Sequence, residues 1–128
     1  LYVFDGRRLD DCPDGSFEMV TLNMVLHHMD EPEPILAEVR RVLRPGGGLL
    51  VREHDRPDER SDRVLDEFHW LVANVFGDSM CSGNYRPRAR WRSLLADAGL
   101  CHVRGSDPAE TLLEDPLLRG YVDLFTVD

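Results

Sequence analysis

Apolar positions change their period along the chain, and the changes mark an alternation of strands and helices. Phe17, Met19, Val20, Leu22, Met24 and Leu26 form a largely apolar run, which predicts a strand covered on both faces. After Asp30 the period becomes helical, with Ile35, Leu36, Val39, Val42 and Leu43 on one stripe. Asp30 or Glu31 is the expected helix cap, and prolines are tolerated in the first turn. Arg40, Arg41 and Arg44 gather toward the carboxyl end, where the helix dipole favours cations. Pro45 and Gly46 to Gly48 stop the helix and turn the chain, and Leu49 to Val51 begin a second buried strand. Strand, helix, glycine-rich turn and strand make one crossover unit of a parallel α/β sheet.

Around this unit the same reading gives further elements. Leu1 to Phe4 reads as the end of a strand closed by Asp5-Gly6, and Asp10 to Gly15 reads as a turn. Arg56 to Arg63 is a charged loop or helix start. Val64, Leu65, Phe68, Leu71, Val72, Val75 and Phe76 predict a second amphipathic helix. Pro87 opens a third, with Trp91, Leu94, Leu95 and Ala98 inward and Gly99 at its end. Leu100–Val103 and Tyr121–Val127 read as two final strands, and Asp107–Pro116 between them reads as a loop with room for a short helix. Trp70 and Trp91 sit at spacings that suit core packing.

Composition narrows the class. The chain has 128 residues, enough for one domain with a real core, and no repeat or interdomain linker divides it. A hydrophobic content of 42% argues against a mainly disordered chain. A net charge of -9 argues against a broad surface for duplex nucleic acid, although Arg86, Arg88, Arg90 and Arg92 cluster locally. Cys12, Cys81 and Cys101 are far apart and odd in number, which points to a reducing, intracellular compartment. No apolar run approaches membrane-spanning length, and no signal peptide is visible.

Parallel α/β sheets place their chemistry at the carboxyl ends of their strands. Those ends carry Asn23, His27 and His28 on one strand, and Glu53, His54 and Asp55 on the next. His27 and His28 invite a metal reading. Adjacent side chains diverge, however, and no third spaced ligand stands nearby, so no metal is expected; one imidazole packs and the other lines the cleft. Glu53 and His54 are candidate catalytic groups, with His54 near its ordinary pKa suited to act as a base. The competing reading is a solvated acidic loop capping the next helix. Tyr85 and Arg86, with the neighbouring arginines, can form a substrate wall, against the plainer reading of a solvated basic helix face.

PDGSFEMVTLNMVLHHM followed by ILAEVRRVLRPGGGLLVREHD resembles class I S-adenosylmethionine-dependent methyltransferases, within them the type 11-like subgroup that includes the ubiquinone-biosynthesis type. NYRPRARWRSLLADAGL resembles the family's late helix leading into its sixth strand, and DPLLRGYVDLFTVD its closing antiparallel strand. The resemblance implies an α/β fold: a Rossmann-like methyltransferase sheet represented by its C-terminal strands, residues 1–128 forming a single partial domain. The family's glycine-rich cofactor loop and the acid that holds the ribose do not occur in these residues. S-adenosylmethionine is the implied cofactor, with tight binding by this chain alone not expected. Asp5 matches the acid that accepts from the adenine amino group, against the plainer reading of a turn acid, and Gly6 supplies an amide beside it. Asn23, Met24 and His27 fall in the segment that lines the cofactor.

The expected activity is methyl transfer to a small molecule, RNA or protein. The alternative is a catalytically inactive methyltransferase-like domain serving as a structural subunit of a larger assembly. In the complete family fold the strand over Glu18–Met24 is interior. Another polypeptide, the rest of the domain or a neighbouring subunit, is therefore expected to cover its edge, unless Leu1 to Phe4 folds back on it.

Overall fold

The structure is a computed structural model that describes residues 8–55, 59–77, 83–106 and 120–128. Strand β1 (Phe17–Asn23) leads through a single 3-10 turn (Leu26–His28) to helix α1 (Glu33–Val42) and strand β2 (Leu43–His54). Helices α2 (Glu59–Phe76) and α3 (Arg88–Asp97) follow, then strands β3 (Cys101–Gly105) and β4 (Gly120–Thr126). The sheet order is β1-β2-β4-β3. β1 and β2 are parallel, as the crossover unit requires, while β4 runs antiparallel to both β2 and β3. This is the α/β arrangement expected from the sequence.

Helix α1 forms where the stripe predicts it, burying Ile35, Leu36, Val39 and Val42. Its start differs: Pro32 is the N-cap and no side chain caps the helix, so Asp30 and Glu31 do not do so. It ends at Val42 because Pro45 disfavours helical backbone at the preceding residue, and Gly46 turns the chain at φ +73°. α3 contributes Trp91, Leu94 and Leu95. These side chains meet Leu49 and Val51 of β2 and Tyr121 and Phe125 of β4 in one core cluster on one face of the sheet. Between these inward residues, Leu50, Val122 and Leu124 line an open depression of about 450 Å³ on the other face. The period-2 alternation of β4 therefore separates a packed face from an open one.

Two expectations are corrected. β1 is not covered on both faces: among its residues only Leu22 is buried, and Met19 is 58% exposed. Among the described residues β1 pairs with β2 alone at the end of the sheet, and Met19 lies on the open face beside Leu50 and Leu124. Trp70 is 64% exposed on α2, so it is not core packing, whereas Trp91 is. α2 buries Leu65 but leaves Phe68, Leu71 and Val75 outward. The proposed return of Leu1 to Phe4 lies outside the described residues.

Candidate functional site

The parallel register sets Asn23 opposite Arg52, so the residues leaving β1 pass beside Glu53. Four consecutive residues are tied to this end of β2. The Met24 amide donates to the Arg52 carbonyl at 2.8 Å. The amides of Val25 and Leu26 donate to Glu53 Oε1 at 3.0 and 2.7 Å. His27 Nδ1 meets Glu53 Oε2 at 2.6 Å. Met24 adopts φ +54°, left-handed backbone that a non-glycine residue takes only when its surroundings impose it. A buried carboxylate gathering two amides and an imidazole supplies that constraint.

Glu53 is therefore not an open catalytic carboxylate. It is fully buried, both its oxygens are occupied, and it positions the turn after β1. His27 is likewise enclosed at 2% exposure and does not line an open cleft. His54 is buried beside it, ring centres 5.0 Å apart. Burial, reinforced by the charge of His27 and His69, holds the His54 pKa down to about 4 against the raising influence of Glu53. An ordinary-pKa base at His54 is thus not what the fold provides. Asn23 is exposed at the strand tip, its Oδ1 3.5 Å from the Arg52 guanidinium, and Met24 is half-buried. Asp5 and Gly6 lie outside the described residues.

The segment after α2 packs against the same turn. The Asn84 amide donates to the His27 carbonyl at 2.5 Å, and its side chain reaches the Met29 and Asp30 carbonyls. Tyr85 stacks on His27 at 5.3 Å with planes 17° apart, and its hydroxyl meets His69 Nδ1. Tyr85 is buried and forms the backing of the turn rather than an open substrate wall. Arg86 lies with its guanidinium 5.2 Å from the Trp91 ring centre. His69 and Asn84 escape a sequence reading, because nothing local in a helix or loop says which turn it will meet.

The clustered arginines are also reassigned. Arg88 and Arg92 do not form a solvated basic face; each grips buried Asp123 of β4 through two hydrogen bonds of 2.7 to 3.0 Å. His102 approaches the same carboxylate at 3.2 Å. Burial alone would raise the Asp123 pKa, but these three partners hold it far below the usual carboxylate range. The two-arginine clamp joins α3 to the sheet.

No helix among the described residues is long and apolar enough to cross a membrane.

Residues 1–51 match the family model described as a methyltransferase domain. The ubiquinone/menaquinone biosynthesis C-methyltransferase UbiE of Cupriavidus taiwanensis is 35% identical over 72 residues, covering 52% of this chain and 30% of that protein. The chain thus spans about a third of the length of such curated relatives. An S-adenosylmethionine-dependent methyltransferase from Methanosarcina mazei shares the fold with TM-score 0.70 at 19% identity, over 98% of this chain and 66% of its own. SpnF, described as a 4+2 cyclase, shares it with TM-score 0.68 at 16% identity, over 98% of this chain and 54% of its own. Residues 1–51 are thus similar in sequence to a methyltransferase domain, and nearly the whole chain shares the fold of solved S-adenosylmethionine-dependent methyltransferases.

Proposed function

We propose that residues 1–128 form the C-terminal part of a domain that transfers a methyl group from S-adenosylmethionine, with the turn at Asn23–His27 as a wall of the cofactor site. The observation that carries this reading is the fastening of residues 24–27 to Arg52 and Glu53. It makes a rigid, strained turn at the carboxyl ends of two parallel strands, where open α/β sheets bind ligands. Methyl transfer is an in-line displacement and gains its rate mainly from proximity and alignment, so a stiff wall serves it without a general base. That agrees with a depressed His54 pKa and an enclosed Glu53. Asp5 and Gly6 complete the adenine end in this reading, and Asn23 faces the cofactor. The acceptor is a small molecule, RNA or protein.

A second reading is a methyltransferase-like domain without methyl transfer, acting as a structural subunit or in another reaction. Its support is the fold likeness to a 4+2 cyclase, since one fold hosts many chemistries. Calorimetric titration of the full-length protein with S-adenosylhomocysteine tests the cofactor site on which the first reading depends. Saturable binding that weakens on Asp5→Ala or Asn23→Ala supports the cofactor site. No binding by a folded full-length protein rejects it.

A further inference from the structure

The turn after β1, whose residues 23–27 are proposed above as the cofactor wall, also brings three imidazoles together, His27 among them. His27 and His28 are neighbours in sequence, yet the 3-10 turn at Leu26–His28 sets their ring centres 4.0 Å apart. In an extended strand they would diverge, and that divergence was half of the case against a metal. The other half, the lack of a third ligand, is removed by α2. His69 stands 5.5 Å from both rings, centre to centre. One ring nitrogen from each of the three lies within 4.8 Å of the others.

The surroundings prepare these rings as ligands. Nδ1 of His27 is engaged by Glu53, which leaves Nε2 as its available nitrogen. A carboxylate behind a histidine fixes the tautomer and raises its basicity, the usual arrangement behind a metal-bound imidazole. Nδ1 of His69 lies 2.9 Å from the Leu65 carbonyl and also meets the Tyr85 hydroxyl; in the tautomer that donates to the carbonyl, Nε2 is the nitrogen offered to a metal. Tetrahedral coordination with metal–nitrogen bonds of about 2.0–2.1 Å needs nitrogens about 3.3 Å apart, so the site must contract on binding. His28 and His69 are only half-buried, one on a one-turn helix and one on a helix surface, so small rotations can supply that contraction.

We propose that His27, His28 and His69 bind one divalent transition-metal ion of the zinc class. All-imidazole ligation selects zinc, cobalt, nickel or copper, whereas magnesium and calcium require oxygen donors. Three protein ligands leave a fourth position for water or for a ligand oxygen, nitrogen or sulfur. The site is independent of the cofactor reading: it needs only the turn, Glu53 and α2.

The test uses the full-length protein without an affinity tag, titrated with zinc by calorimetry and with cobalt by visible absorption. The expected result is saturable one-to-one zinc binding and the intense visible bands of low-coordinate cobalt. His69→Ala, at a half-exposed position, abolishes both, as does His28→Ala. Glu53→Gln weakens zinc affinity by about 10- to 100-fold through the lost support. His102→Gln, outside the cluster, leaves zinc binding unchanged. The proposal is overturned if equimolar zinc does not bind, or if folded His69→Ala binds it as well as the unaltered chain. Binding of S-adenosylhomocysteine is a separate measurement, so the two outcomes are distinguishable.

Discussion

Glu53 Oε2 lies 2.6 Å from His27 Nδ1, both side chains fully enclosed although 26 residues separate them in sequence. The other carboxylate oxygen accepts the amides of Val25 and Leu26. Removing the carboxylate therefore orphans three donors at once. A buried donor left unsatisfied costs about 1–3 kcal/mol. Glu53→Ala is expected to lower stability by several kcal/mol in urea unfolding of the full-length protein. A loss below about 1 kcal/mol would show that water or neighbours replace the carboxylate.

The clamp on Asp123 is an independent test of how α3 is held. Removing one partner of a buried ion pair costs about 3–5 kcal/mol, because the remaining charge is left uncompensated. Asp123→Asn should approach that cost, and Arg88→Met combined with Asp123→Asn should recover part of it. A double-mutant cycle with no coupling would dissolve the clamp as a unit. Gly105 lies against the clamp, where an added Cβ would overlap Asp123 and Arg88. Gly105→Ala should thus lower the melting temperature, although the residue lies on an exposed strand.

Acid sensitivity should arise in part at Glu38. Hydrogen bonding to Arg41 outweighs burial and, with the Leu9 amide, lowers its pKa to about 2. A carboxyl whose folded pKa is depressed contributes stability above its unfolded value, near pH 4.5, and loses that contribution as pH falls toward about 2. Glu38→Gln should flatten the stability profile across that window and leave the slope above it unchanged. An identical acid limb in the variant would remove Glu38 from the account.

If a second polypeptide covers the sheet, as proposed from the sequence, the edge of β1 is where it would pair. Met19 is exposed there, and the strand carries Glu18 as its one charge. Residues 1–128 in isolation should self-associate with rising concentration, and Met19→Lys should suppress it, since charged edges resist pairing. Light scattering that is flat with concentration for the unaltered chain would argue that the edge needs no cover.

Much of the fold was legible because it is local. The stripe Ile35, Leu36, Val39 and Val42 with Pro45 after it specifies α1, and alternation specifies β4. Burial was less legible, since β1 and α2 are apolar in sequence but their cover depends on which elements adjoin them. The site was legible by place, while the burial and partners of its side chains were not. Asn23, His27, Glu53 and His54 do gather at the strand ends. Whether Glu53 faces substrate or the next turn, however, depends on a register in which one step reverses every side chain. Pairs such as Arg88 with Asp123, 35 residues apart, leave no local signal.

The central claim is that the fastened turn at residues 23–27 walls the S-adenosylmethionine site. Hydrogen exchange of the full-length protein, with and without saturating S-adenosylhomocysteine, tests it most directly. The account predicts slower exchange in the peptide spanning residues 22–29, with the β3–β4 region around Asp123 unchanged. Ligand binding that leaves the exchange of residues 22–29 unaltered would contradict it.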